Sequence, residues 1–490
     1  MPRNRVLNRV FSRYFARGGG GARPSESLGY TLDISAKSIK KIFSDCEDLN
    51  VSPVYIGGRR DMAATLVYLD GLVQGSAVAE EVVRPLTDAS RFGRAAGVRE
   101  AMELILHGAV YNYNVKEAKD INELAEMMVN GFCAVIFERP GRAICFEVKS
   151  NDKRSVGEPT VEKAVKGAKD AFTESLRTNT GLLRRKMRSP NLKIRQYVVG
   201  RGTLTKVALV YVDGLTNEDM VEEVGKKLEA INIDGVVSLG SIEDELVDRR
   251  KTLFPLMIYT ERVDKFAMNL LEGRVGIIVD GFSIAYLTPA SFAQFVKVPE
   301  DKSDHFIMAA LLTGLRYAAV AVTLLLPGFY VAVAMFNPEM LPTKLMLSII
   351  ESKQNVPFAT ATEVIGMLVA FEVLQEAGLR LPQSIGETVS IIGALVVGQS
   401  AVEAKVVSAV VVIIVAVSGI CGYTMPNQDM AAALRVWRFV IVIAAVFGGM
   451  FGVSAVCTAL VYHLASLETY GVSYISPLGG GKNGKNGKNR

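Results

Sequence analysis

The sequence predicts an α/β region of two related subdomains followed by an α-helical polytopic membrane domain. Three observations carry this. Residues 1–305 of the 490 alternate apolar stretches with many charges, whereas residues 306–466 are mostly apolar, rich in Gly and Ala, and poor in charge. A seven-residue phrase occurs twice, as LVYLDGL at 66–72 and LVYVDGL at 209–215. Several apolar runs are long enough to cross a bilayer, for which about 20 helical residues suffice. The chain accordingly divides into a basic flexible tail (1–27), a first α/β subdomain (28–150), and a basic helical linker with a second α/β subdomain (151–305). A transmembrane domain (306–467) and a C-terminal tail (468–490) follow. Hydropathy gives the transmembrane domain about four to five segments.

The N-terminal stretch MPRNRVLNRVFSRYFARGGGGAR carries Arg3, Arg5, Arg9, Arg13, Arg17 and Arg23 and no acid. It lacks the continuous apolar core of a secretory signal, so the soluble region is expected in the cytoplasm. Two readings stand open: a flexible basic tail, or an amphipathic foot on anionic lipid through Val6, Val10, Phe11 and Phe15. The net charge of +5 is modest and does not point to nucleic acid. Five scattered cysteines (Cys46, Cys133, Cys145, Cys421, Cys457) form no CxxC and read as reduced packing residues. Three histidines (His107, His305, His463) form no HExxH or Cys/His cluster, so no metal site is expected. No nucleophile elbow, P-loop or acid/base constellation argues for an enzyme, and no cofactor is implied.

Each copy of the repeated phrase is a β-branched and aromatic run ending in Asp-Gly, which reads as a strand and a turn. Each is followed by a helical pattern, residues 76–86 in one case and 216–231 in the other, the latter capped by Thr216 or Asn217. At nearly the same distance downstream comes a hairpin. FCAVIFERPGRAICFEV (132–148) turns at Pro-Gly, and RVGIIVDGFSIAYLTP (274–289) turns at Asp-Gly, the two-residue hairpin signal. Tandem duplication accounts for both correspondences. Asp70 and Asp213 are read as turn residues, since Asp tolerates the left-handed region and bonds its own backbone.

Between the copies, Arg177, Arg184, Arg185, Lys186, Arg188, Lys193 and Arg195 make a basic stretch without acids. It is either a solvated helix face with a linker or a contact for anionic headgroups or an acidic neighbour.

In the apolar half, residues 307–336 form a first span, with Arg316 able to snorkel near its start and Pro327-Gly328 expected to kink or break it. Residues 407–423 and 439–467 are further spans, and 385–404 is a candidate. In the last candidate Gly386, Ser390, Ala394 and Gly398 recur every fourth residue, a small-residue ridge for close helix packing; Gly448 and Gly452 form a GxxxG with the same use. Arg435 and Arg438 place the start of the last span in the cytoplasm, and the tail GKNGKNGKNR also looks cytoplasmic by charge. One crossing cannot satisfy both. Either the segment is a hairpin broken at Gly448-Gly449, or the tail is exempt from the rule.

TATEVIGMLVAFEVLQEAGLRLP (360–382) is helical by pattern but too polar to face lipid. At 100° per residue Ile365, Leu368, Val369, Glu372 and Glu376 share one face, while Glu363, Met367, Ala370 and Leu374 lie on another side. One reading is a pore wall, with an apolar constriction at Leu368–Val369 and a carboxylate ring from Glu372 and Glu376 that favours cations. The other is an interfacial amphipathic helix whose acids face water, with Arg380 neutralising Glu376.

The chain resembles the A subunits of GerA-type spore germination receptors, including the stage V sporulation AF paralogues. The resemblance rests on KDAFTESLRTNTGLLRRKM (169–187), LVYVDGL (209–215), GRVGIIVDG (273–281), LRYAAVAVTLLLPGFYVAV (315–333), NVPF (355–358), EVLQEAGLRLPQSIGETVSIIGALVVGQSAVEA (372–404) and YGVSYISPL (470–478). It implies a multi-pass protein of the spore inner membrane with a cytoplasmic N-terminal region. Its implied partners are a transporter-like B subunit that senses the germinant, a lipoprotein C subunit, and further copies of itself in a homo-oligomer such as a pentamer. The implied activity is a gated ion channel that releases monovalent cations in response to germinant signals. The alternative is a non-conducting scaffold or signalling subunit that clusters receptors. The GKN-repeat tail and the small residues of GLRYAAVAV depart from the family pattern and blur which paralogue this is.

Overall fold

β-Branched runs closed by left-handed glycine turns build two sheets, and apolar helical runs build a bundle behind the second. The computed structural model describes residues 29–93, 95–110, 114–148, 162, 168–247, 252–302, 305–354, 356–380 and 398–475. The chain forms two units, one of residues 1–152 with 180–193 and the other of residues 153–179 with 194–490.

The first unit opens with α1 (Ala36–Ile42), whose N-cap Ser35 accepts a hydrogen bond from the Ser38 amide. Strands β1 (Leu49–Tyr55) and β2 (Ala63–Leu69) follow, then a helical run over 75–87 with a π segment at Val78–Val83, and α2 (Val98–Leu104). The unit continues through β3 (Val115–Ala118), α3 (Ile121–Val129), β4 (Phe132–Phe137) and β5 (Arg142–Glu147). The sheet runs in the order β1-β2-β4-β5-β3, all pairings antiparallel. Every residue of β4 is buried, as expected for a strand covered on both faces. Cys133 and Cys145 are reduced and fully buried there. Burial pushes the Cys145 thiol up to about 12, so it packs as an inert apolar group. Residues 180–193 of this unit include most of α4 (Leu176–Lys186).

The second unit holds β6 (Leu192–Val199) from Ile194 onward, β7 (Thr205–Val212), α5 (Glu218–Ala230), α6 (Gly240–Leu246), β8 (Ile258–Thr260), α7 (Val263–Leu271), β9 (Val275–Val279), β10 (Ala285–Thr288) and α8 (Phe292–Val296). Its sheet order, β6-β7-β9-β10-β8, is the first sheet's order shifted by five strands. The repeated phrase ends β2 in one sheet and β7 in the other, and its glycines Gly71 and Gly214 share the left-handed region at φ 82° and 77°. Asn217 caps α5 by accepting from the Asp219 amide. The Asp280-Gly281 turn differs from expectation. It is a longer connection, with Ala285 opposite Ile278. Its residues bond elsewhere: Asp280 accepts from the Leu176 amide at 2.8 Å, and the Gly281 amide donates to the Glu174 carbonyl at 2.7 Å.

The apolar half contains α9 (Phe306–Phe336), α10 (Thr343–Lys353), α11 (Thr360–Arg380), α12 (Ala409–Gly422) and α13 (Gln428–Ser466). Pro327 does not break α9, which stays helical throughout. It loses one backbone bond in a segment held by neighbours, and Gly328 admits Ile441 so closely that a β-carbon there would lie 2.7 Å from its methyl. Arg316 does not extend toward a surface but forms a bidentate pair with Asp301, at 2.6 and 3.0 Å. Helix α12 has 14 residues, shorter than the span expected over 407–423.

Helix α13 is a hairpin. Gly449 has φ 54° and ψ −139°, and a β-carbon on Gly452 would collide with the carbonyl of Ala444, eight positions back. The chain thus reverses between Gly448 and Gly449, separating the two glycines of the GxxxG. The returning arm ends in the short pair β11 (Glu468–Thr469) and β12 (Val472–Ser473). There Tyr474 is fully buried and accepts the Phe292 amide at 2.8 Å, and the Tyr470 hydroxyl donates to the Leu246 carbonyl at 2.8 Å. The described part of YGVSYISPL therefore docks on the second α/β sheet's helices.

Candidate functional site

Helix α11 carries the carboxylates Glu363, Glu372 and Glu376, and its two faces differ in kind. Val364 and Leu368 are fully buried on one face. Phe371 lies beside Gly419 of α12, where a β-carbon would meet its ring at 2.5 Å. The opposite face exposes Thr362, Gly366, Val369, Val373 and Glu376 in helical spacing. Of the five residues expected to share a pore face, Val369 and Glu376 are exposed and Ile365 is half-buried. Leu368 and Glu372 point into the bundle.

Glu372 meets Arg435 at 3.2 Å and Arg438 at 3.6 Å, both on the outgoing arm of α13. Arg438 is 1% exposed. These arginines were legible only as positive-inside markers; in the fold they are ion-pair partners. Two arginines one helical turn apart in an apolar run, with a glutamate in another helix, were the signal. Arg438 also donates to the Ser418 hydroxyl at 3.4 Å. Ser418 and Thr323 exchange hydroxyl-to-carbonyl bonds of 3.0 and 3.2 Å, tying α12 to α9. Such pairs join helices where water is scarce.

A second carboxylate, Glu363, has no exposed side-chain surface. It accepts from the Ser408 amide at 2.8 Å, at the N-terminus of α12, and lies 3.3 Å from Lys353. A carboxylate at a helix N-terminus meets the positive end of the dipole. Of the residues expected to pack helices, Gly398 is buried and faces Val412, while Gly448 has open space beside it. Gly386, Ser390 and Ala394 lie outside the described residues, and Arg380 has no described side chain. Among the basic stretch, Arg184 is not available to headgroups: it is buried in a bidentate pair with Asp48. Lys193 likewise turns inward, to the Ile42 carbonyl.

Two α/β sheets of one topology, followed by a bundle that holds, among the described residues, two helical segments long and apolar enough to cross a membrane, define the class of protein. Residues 37–486 match the family described as Bacillus/Clostridium GerA spore germination protein, and the chain belongs to it. It is 34% identical to spore germination protein B1 of Bacillus subtilis, over 91% of each chain. It is 36% identical to spore germination protein KA of the same organism, over 90% of this chain and 80% of that one. The membrane protein YfkQ of B. subtilis is 35% identical, over 84% of this chain and 80% of its own. Among solved structures, the N-terminal domain of the A subunit of the Bacillus megaterium spore germinant receptor GerK3 is 30% identical. That match covers 55% of this chain and 99% of the other, with a TM-score of 0.43.

Proposed function

We propose that the chain is a multi-pass subunit of a germination complex whose copies together form a gated channel for monovalent cations. The observation that carries this is the exposed face of α11. Elsewhere the bundle exposes large apolar side chains, such as Ile307, Phe447, Phe451 and Val461, which suit lipid. The α11 face instead combines Gly366, Val369, Val373 and Glu376. An acid on a helix of a membrane bundle calls for water or a partner, and an apolar ring can gate by dewetting. With several copies around an axis, Val369 and Val373 form the constriction and Glu376 the cation-attracting ring. Ile365 flanks it, and Leu368 and Glu372 hold the wall helix against its own bundle.

The fold back at Gly449 supports a topology in which α9 leaves the α/β side, the hairpin goes out and returns, and Tyr474 ends beside the second sheet. In the membrane this sets both soluble segments on one face, expected to be the cytoplasmic face of the spore inner membrane. A transporter-like B subunit would report the germinant, a lipoprotein C subunit would complete the complex, and the exposed basic residues would lie near anionic lipid. The test is potassium release from liposomes holding the full chain, as wild type, Val369→Ala and Glu376→Gln, with and without a co-reconstituted B-type subunit. The expected result is more leak in Val369→Ala and lower cation selectivity in Glu376→Gln. Absence of flux from all three proteins, with the B-type subunit present, rejects the channel and leaves the receptor-clustering scaffold.

A further inference from the structure

We infer that the bundle contains a binding site for a small monovalent anion, of the halide class, between Arg435 and Arg438. A cavity of about 20 Å³ opens among Thr323 of α9, Gln375 of α11, Gly419 of α12, and Leu434, Arg435 and Arg438 of α13. That is room for one particle the size of a water or a halide ion. The two arginines face one carboxylate, Glu372, so the cluster carries an excess positive charge. A guanidinium cannot shed that charge by losing its proton. Leaving it uncompensated in an apolar bundle is costly.

The hydrogen bonds point the same way. Arg438 Nε and Nη2 and Arg435 Nε are buried donors without a hydrogen-bond partner, three donors against one buried acceptor in the same condition, Glu372 Oε2. The Arg438–Glu372 contact at 3.6 Å is an ion pair too long to be a hydrogen bond. Arg438 spends only Nη1, on Ser418. These vacant groups on the two arginines are donors alone, and an anion supplies acceptors alone. A water would satisfy some of them but brings protons of its own and leaves the charge. Gly419 and Gly422 of α12 line the same cavity beside the two arginines. The occupant would fasten α11 to α13 through the arginines that hold Glu372. This inference stands apart from the channel reading, and its test uses no ion flux.

The purified full chain in detergent carries one indole reporter, because Trp437, which follows Arg435 and precedes Arg438 on α13, is the single tryptophan. Its emission and the unfolding midpoint are followed while chloride replaces gluconate at constant ionic strength. Both should change along a saturating curve, bromide should substitute for chloride, and Arg438→Gln should abolish the effect. Glu372→Gln removes the competing carboxylate and should tighten halide binding by about tenfold. It also keeps the test open if Arg438→Gln does not fold. Identical midpoints and emission in chloride and gluconate, for both wild type and Glu372→Gln, would overturn the proposal and assign the cavity to water.

Discussion

The rings of Trp437 and His463 lie 6.1 Å apart, although they sit toward opposite ends of the helical segment Gln428–Ser466. At 1.5 Å per residue a straight helix would separate them by about 39 Å. The contact therefore depends on the reversal at Gly449, whose φ and ψ only glycine adopts without strain. Gly449→Ala should lose about 1–3 kcal/mol. Its β-carbon would also press on the Phe336 ring at 3.0 Å. Gly448→Ala meets open space in helical backbone and should be neutral or slightly stabilising. Thermal unfolding of the two variants in detergent checks the contrast; equal midpoints would place the reversal elsewhere.

Arg184 and Asp48 make the second test. The pair is fully buried, at 2.7 and 2.8 Å, and Arg184 Nη1 also donates to the Leu192 carbonyl at 2.9 Å. Removing one partner strands the other charge, so Arg184→Met should cost about 3–5 kcal/mol. Arg184→Lys should recover only part, because an ammonium cannot form the fork. The double variant Asp48→Leu with Arg184→Met should be more stable than Arg184→Met alone. Equilibrium unfolding separates these cases, and a neutral Arg184→Met would show that the pair is not formed in solution.

Local chemistry was legible in the sequence, and non-local partnership was not. LVYLDGL and LVYVDGL revealed two equivalent strands because a β-branched run and an Asp-Gly turn need no distant residue to form. Asn217 announced its helix for the same reason. Asp280-Gly281 misled as a two-residue hairpin because its bonds go to Glu174 and Leu176, about a hundred positions away. Periodicity placed Leu368, Val369 and Glu372 on one broad face of α11. It could not divide that face between Val369, which is exposed, and Glu372, which meets two arginines more than sixty positions later. Arg184 was visible as a charge, but its burial depends on Asp48.

The last prediction concerns pH. Glu243, in α6, is half-buried, and its carboxyl is raised above the usual range. Burial is the main cause, the Tyr286 hydroxyl opposes it by hydrogen bonding, and the charges of Asp429 and Asp244 add to the rise. A carboxyl raised by folding favours the native state in its protonated form. That contribution is complete below the unfolded value of about 4.3 and is lost as pH rises through the folded value. Glu243→Gln keeps an acceptor for Tyr286 and removes the charge. Its unfolding midpoint relative to wild type should therefore rise as the pH climbs from about 4 through the range in which the folded carboxyl ionises. Melting curves of both proteins across that range decide it. A constant difference would mean that the Glu243 carboxyl titrates alike in the folded and unfolded chains.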